Sequence, residues 1–204
     1  TAFFDRYKDV SNFPIFGQNY YAYQYITEKY PGEIEWDAKN LAIYSIDIET
    51  TSEGGFPNVD SPAEKVLVVT LQNNNTKKIT TFGLGEFTPT HETSKYDVDW
   101  IGCKDEYTLL KTFVEWWEEN TPDIITGWNS NLFDIPYMIG RIERILGEGE
   151  HKRLSPFGLV NKRPIRFANR EMTAYEITGV AQLDYLDLYK KFTYVTRESY
   201  KLDF

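Results

Sequence analysis

The stretch Leu41-Ala-Ile-Tyr-Ser-Ile-Asp-Ile-Glu49 constrains this chain more than any other segment. It is apolar enough to form a buried strand, expected over residues 40–48, yet it closes on two carboxylates one residue apart. Alternate side chains of a strand share a face, so Asp47 and Glu49 point the same way and Ile48 points the other. Two carboxylates held that close repel each other, and a hard cation relieves the repulsion. Mg²⁺ or Mn²⁺ prefers carboxylate and water oxygens to any other ligand this chain offers. A third carboxylate, Asp134, follows a second apolar run, Ile124-Ile-Thr-Gly-Trp-Asn-Ser-Asn-Leu-Phe133. Asp47, Glu49 and Asp134 are therefore the candidate ligands of a divalent-metal site suited to cutting phosphodiesters.

The composition leaves room for this and closes other routes. At 204 residues and 41% hydrophobic, with 13 Phe, 15 Tyr and 5 Trp, the chain can bury a substantial core and carry one domain plus an appendage. No stretch approaches the roughly 20 apolar residues that span a bilayer, and Thr1-Ala-Phe-Phe-Asp-Arg6 lacks the basic start and apolar centre of a signal peptide. The expectation is a cytoplasmic protein with no membrane partner. The single cysteine, Cys103, allows no internal disulfide, and two scattered histidines, His91 and His151, allow no zinc cluster of the usual kind. Any metal must sit on oxygen.

A net charge of −9 argues by itself against a nucleic-acid partner. The distribution changes that judgement. Residues 1–140 hold 10 Lys/Arg against 22 Asp/Glu, whereas 141–204 hold 12 against 9. Within the second part, 152–170 carries Lys152, Arg153, Lys162, Arg163, Arg166 and Arg170 and no acidic residue. Such a run suits phosphate contact, and it equally suits a solvated loop with no partner.

Patterning along the chain predicts an α/β fold. Residues 1–36 are aromatic and turn-rich, with an alternation in Tyr20-Tyr-Ala-Tyr-Gln-Tyr25 that suits a strand or two. After the first strand, 51–58 reads as a loop, and strands near 65–72 and 78–83 joined at Asn73-Asn74-Asn75 complete a three-stranded meander. Residues 85–103 read as polar and irregular. Leu109, Leu110, Phe113, Val114, Trp116 and Trp117 recur at helical spacing between Asp105 and Asn120, and Trp116, Trp117 and, separately, Trp128 read as core residues on apolar faces. A short strand at 123–128 precedes a second helix from Phe133 to Leu146, with Pro136 in its first turn and Gly147 past its end. A hairpin over 159–180 turning at Asn169-Arg170-Glu171 and a strand at 182–189 follow. On that strand Asp184 and Asp187 would face opposite sides, so both read as structural or supporting groups. A meander followed by helix, strand, helix and strand makes a mixed sheet with helices packed on it.

The acid pair on the first strand, together with Asn129-x-x-x-Phe133-Asp134-x-Pro136-Tyr137, resembles the first two exonuclease motifs of the family B DNA polymerases. Gly127-Trp128-Asn129, Ile145-Leu146-Gly147-Glu148, Lys152-Arg153-x-Ser155-Pro156 and Leu183-Asp-Tyr-Leu-Asp-Leu-Tyr-Lys-Lys-Phe192 extend the likeness to the members from large tailed bacteriophages. The resemblance covers about 40–204 and implies a ribonuclease H-like mixed sheet flanked by helices, with a β-hairpin insertion. It implies that 37–204 is a 3′–5′ proofreading exonuclease domain and that 1–36 is a remnant of the polymerase N-terminal domain. The implied partners are single-stranded DNA at a primer 3′ end and the polymerase domains of a larger parent chain, in the host cytoplasm.

Phosphodiester hydrolysis must generate hydroxide near neutral pH and stabilise a departing 3′ oxyanion, which two metal ions about 4 Å apart do together. By resemblance Asp47 and Glu49 hold the ion that activates water, and Asp47 and Asp134 hold the ion beside the leaving oxygen. Asp134 also suits a plain helix cap. Phe56 suits stacking on the terminal base or anchoring its loop. Asn129 and Phe133 come with the second motif as contacts to the single strand or as braces of the turn, and Arg163, Arg166 and Arg170 fall in the hairpin as phosphate contacts. The family completes its site with an aspartate in a third motif, four residues after a tyrosine. Tyr200 and Asp203 stand three apart and are not assigned to it, so the two-metal site is expected to lack one ligand here. A catalytically idle module of the same fold that grips single-stranded DNA is the alternative to the enzyme.

Overall fold

The computed structural model describes residues 6–13, 21–167, 170–193, 197 and 199–201. The chain divides into two compact units, Thr1–Asp37 and Ala38–Phe204. In the first, Tyr21–Lys29 forms helix α1, where alternation had pointed to strand. Aromatic residues at every second position fit either conformation, and local hydrogen bonds one helical turn apart decide it. Gln24 Nε2 donates to Glu28 Oε1 at 2.9 Å, Thr27 Oγ1 donates to the Tyr23 carbonyl, and Lys29 sits where the helix dipole favours a cation.

The second unit is built on six strands. These are β1 (Ile43–Thr50), β2 (Val66–Asn73), β3 (Ile79–Leu84), β4 (Val98–Cys103), β5 (Ile124–Gly127) and, later in the chain, β8 (Ala181–Asp184), in the sheet order β4-β3-β2-β1-β5-β8. β1, β2 and β3 form the antiparallel meander, while β4 joins β3, β5 joins β1 and β8 joins β5 in parallel. Helices α2 (Glu106–Glu119) and α3 (Asp134–Leu146) lie between β4 and β5 and after β5, and α4 (Tyr185–Phe192) follows β8. Strands β6 (Val160–Phe167) and β7 (Arg170–Ile177) form a separate antiparallel hairpin. This mixed sheet flanked by helices, with its hairpin, is consistent with a ribonuclease H-like fold.

Two stretches differ from the sequence expectation. Residues 98–103 form an edge strand, because Trp100 of β4 packs its ring across Gly83 of β3, where any Cβ would come within 2.0 Å of it. That pairing is non-local, so the polar segment around it gives no hint. The segment expected as a strand over 182–189 leaves the sheet at Asp184 and turns helical. The turn expected at Asn169-Arg170-Glu171 falls partly outside the described residues, and Arg170 and Glu171 are paired with Phe167 and Arg166 in the hairpin.

Ile46, Ile48, Val69, Leu71 and Phe82 present one face of the sheet to Leu109, Leu110, Phe113, Val114 and Trp117 of α2 and Ile135, Met138, Ile139 and Ile142 of α3. Burying each such side chain contributes about 1.5–3 kcal/mol, which fixes both helices against that face. Trp117 is in this core and Trp116 packs against it, as their helical positions require.

A buried ion pair ties the helices to the loop between β1 and β2. Arg141, 3% exposed, makes a two-pronged contact with Glu106, 8% exposed: Nε donates to Oε1 at 2.8 Å and Nη2 to Oε2. The remaining capacity is used as well. Glu106 Oε1 accepts from the Val66 amide at 2.9 Å, and Arg141 Nη1 donates to the carbonyls of Pro62 and Ala63 at 3.0 and 3.1 Å. Tyr137 Oη donates to the Glu64 carbonyl at 2.8 Å, and the Glu64 carboxylate accepts from Thr51 Oγ1 and the Gly54 amide. α3 thus closes the neck of a loop whose tip carries Phe56. Removing only the anion strands a buried guanidinium, so Glu106→Ala is expected to cost about 3–5 kcal/mol in urea denaturation, with Glu106→Met paired with Arg141→Met recovering most of it.

Candidate active site

β1 runs past the end of its parallel neighbour. β5 pairs with β1 only from Ile43 to Ser45, so the backbone of β1 beyond Ser45 lacks a strand on that side. The Ile48 amide there is satisfied by Asp134 Oδ1 at 3.1 Å. Asp134 begins α3 at the head of the turn 128–133 and is 4% exposed. It is therefore not a plain helix cap: the preceding Phe133 occupies the cap position, without a side-chain capping bond, and the Asp134 carboxylate reaches across to the central strand.

That turn is held by a second buried acid. Asp184, 4% exposed at the end of β8, accepts from the amides of Asn129 at 3.1 Å, Asn131 at 2.9 Å and Leu186 at 2.9 Å. Asp184 and Asp187 accordingly do not share a strand. The first caps α4 and the second lies on that helix. Asn129 adopts φ +62°, a left-handed conformation that asparagine tolerates better than most residues. Gly127 just before it has no room for a side chain, because a Cβ would lie 2.6 Å from the Ile46 carbonyl.

These constraints place Asp47, Phe56, Asn129, Phe133 and Asp134 on the wall of one cleft of about 1020 Å³. Burial raises the carboxyl of Asp47 above its ordinary range. For Asp134, burial first and the Asp47 charge second push the pKa up to about 7, against the lowering effect of its backbone hydrogen bonds, including that from Ile48. Asp134 therefore feels the charge of Asp47. Phe56 is 88% exposed, with its ring 5.7 Å from that of Phe133, which stacks in turn on Tyr137. An aromatic shelf stands beside the acids.

Other expected residues lie elsewhere. Glu49 shares the exposed face of β1 with Asp47 but is not in the lining of this cleft, and a register irregularity between β1 and β2 falls directly after it. Arg163 lines a neighbouring cleft. Arg166 and Arg170 are paired in the hairpin by their backbones, and their side chains, like Asp203, lie outside what is described. Among the described residues no group of three or more His, Cys, Asp or Glu is placed to hold a metal ion.

The lining also includes residues that sequence reasoning did not single out. Trp128, expected in the core, instead faces the cleft, donates from Nε1 to the Tyr200 carbonyl at 2.8 Å and packs on Tyr185 and Tyr189. Tyr200 and Lys201 form part of the wall, and Lys201 is the one basic side chain among the described lining residues. Only the position of Trp128 directly before the second motif hinted at this. No helix of the described residues is long and apolar enough to cross a membrane.

The family model described as DNA polymerase family B, exonuclease domain, matches residues 18–204. The DNA-directed DNA polymerase of Escherichia phage RB69 is 30% identical over 213 residues, and that of Enterobacteria phage T4 is 31% identical over 210. Each alignment covers 92% of this chain, which spans only 23% of the length of either polymerase. The DNA polymerase catalytic subunit of Human herpesvirus 8 type P (isolate GK18) is 28% identical over 120 residues, covering 56% of this chain and 11% of that subunit. An acid-lined cleft at the head of α3 and a family match over nearly the whole chain lead to one conclusion: the protein belongs to the exonuclease domain family of the family B DNA polymerases.

Proposed function

We propose that the chain is a 3′–5′ exonuclease domain that hydrolyses the terminal phosphodiester of single-stranded DNA with divalent metal ions, within a larger family B polymerase. In this reading 37–204 is the nuclease and 1–36 belongs to the parent's N-terminal domain. The observation that carries it is the pairing of Asp134 with Asp47 in one cleft, where burial and the Asp47 charge leave Asp134 with a pKa of about 7. A buried acid whose ionisation is opposed by a neighbouring carboxylate is, with that carboxylate, a donor set suited to Mg²⁺ or Mn²⁺, which is bound through one or two carboxylates and keeps several waters.

Asp47 and Asp134 would hold one ion, and Asp47 with Glu49 a second. Such ions, when bound, lower the pKa of water and stabilise charge on the phosphate and the departing oxygen. The rest of the work falls to the chain. The hydrogen bond from Ile48 fixes the Asp134 carboxylate, so that its position does not depend on side-chain rotation. Phe56 stacks on the terminal base, which contributes roughly 1–3 kcal/mol without sequence preference. Phe133 supports that ring, and Asn129 contacts the strand from its latched turn. Arg166 and Arg170 meet strand phosphates from the hairpin, and such contacts weaken as salt rises, while Arg163 lies in the neighbouring cleft.

The test is Mn²⁺-dependent shortening of a 3′-labelled single-stranded oligonucleotide. Asp47→Ala should lower turnover about a hundredfold or more, in line with losing charge stabilisation at a hydrolytic centre; near-normal turnover would refute the assignment. The place of Glu49 outside the lining of the cleft favours a second reading, the idle DNA-binding module. Single-strand affinity that persists in chelator, with no cleavage in Mn²⁺, would select it.

Asp134 gives an independent check. Its folded pKa of about 7 lies above the usual aspartate value near ~4, so the folded state binds the proton more tightly than the unfolded state does. The contribution to stability is therefore full below about pH 4 and is lost as pH rises to about 7. Asp134→Asn keeps an acceptor for the Ile48 amide and removes the charge. It should match the wild type near pH 4 and exceed it at pH 8 by up to roughly 4 kcal/mol in urea denaturation. Millimolar Mn²⁺ should raise the melting temperature of the wild type and leave that of the variant unchanged.

A further inference from the structure

A second cleft, of about 460 Å³, lies on the other side of the latched turn and shares Asn129 and Leu132 with the first. Its walls come from the hairpin, β8 and α4. We propose that this cleft binds a nucleoside 5′-monophosphate, the product of terminal hydrolysis, an inference that rests on the nuclease reading above.

The chemistry of the lining supports one nucleotide of this kind. Small-molecule sites run to roughly 300–1,000 Å³, which the cleft satisfies at its lower end. Arg163 of β6 offers a guanidinium fork suited to a phosphate, and Lys190 of α4 adds positive charge to the wall, although its ammonium lies 4.9 Å from the centroid of the Tyr200 ring. Asn131 brings a side-chain amide able to pair with a base edge, Gln182 adds the NH2 of an amide whose oxygen already accepts from the Ile177 amide at 3.3 Å, and Ile165, Ala174 and Val180 supply apolar surface. The same lining contains two carboxylates, Glu176 and Asp187.

The carboxylates decide between a free nucleotide and one inside a strand. Hydrolysis adds a water oxygen to the phosphorus and breaks its bond to the 3′ oxygen of the preceding residue, which takes up a proton. The released nucleotide therefore has a phosphate at one end and a free 3′-hydroxyl at the other. A nucleotide within a strand carries phosphate at both ends. A cleft with cations and carboxylates suits one anionic end and one hydroxyl end, and it repels a second phosphate. Because the two clefts meet at Asn129 and Leu132, the product need only pass the turn to reach it.

Calorimetric titration of the full chain in chelator tests this, with thymidine 5′-monophosphate, thymidine 3′,5′-bisphosphate and thymidine as probes. The monophosphate should bind the wild type and Asp134→Asn equally, and Arg163→Glu should weaken it about tenfold or more, the loss expected for a charge-assisted hydrogen bond. Thymidine and the bisphosphate should each bind about tenfold more weakly than the monophosphate. Undetectable monophosphate binding, or binding indifferent to Arg163→Glu, overturns the proposal. Binding lost in Asp134→Asn assigns the nucleotide to the first cleft, and a bisphosphate that binds as tightly assigns the second cleft to the strand itself; either result also overturns it. Mn²⁺-dependent cleavage is measured separately, so failure here leaves the nuclease reading standing.

Discussion

The hydrogen bond from the Ile48 amide to Asp134 is the contact on which the site depends. It arises from a mismatch in length: β1 outruns β5, and a buried amide without a partner costs about as much as a lost hydrogen bond. An acceptor has to come from the next element, and that element is the first turn of α3. The carboxylate which meets the structural need is thereby buried beside Asp47, where its charge is unwelcome. Structural need and chemical potential thus share one side chain, and the acid is held in an environment that favours either a proton or a cation.

Around this contact the fold separates positioning from chemistry. The Arg141–Glu106 pair and its hydrogen bonds to Pro62, Ala63 and Val66 use nearly every donor and acceptor they have, and they do so away from the cleft. The outcome is a loop closed at its neck, with Phe56 left exposed at the tip. An aromatic ring kept almost wholly in water while the loop below it is secured is poorly explained by packing and well suited to receiving a flat partner.

Local signals in the sequence carried the elements whose burial follows a simple period. The alternation ending at Asp47, the asparagine turn between β2 and β3, the apolar stripe of α2 and the Pro136 and Gly147 limits of α3 all act within a few residues. What the chain alone did not reveal depends on distant partners. β4 requires Gly83 to receive Trp100, and the end of β8 requires the Asp184 carboxylate to capture amides more than fifty residues earlier. Trp128 has a neighbourhood apolar enough to suggest the core, yet its indole N–H finds the Tyr200 carbonyl at the cleft. Asp47 and Asp134 come together as their motifs imply, whereas Glu49, adjacent to the register irregularity, stands apart from the cleft lining.

The Asp184 carboxylate bonds to amides on both sides of a chain reversal and to the start of α4. One rigid group therefore couples a helix to the partition between two clefts. Asn129, which lines both clefts, is held to the start of α4 through that group. The spacing between α4 and the turn is thus fixed by a single carboxylate, and with it the distance across both openings.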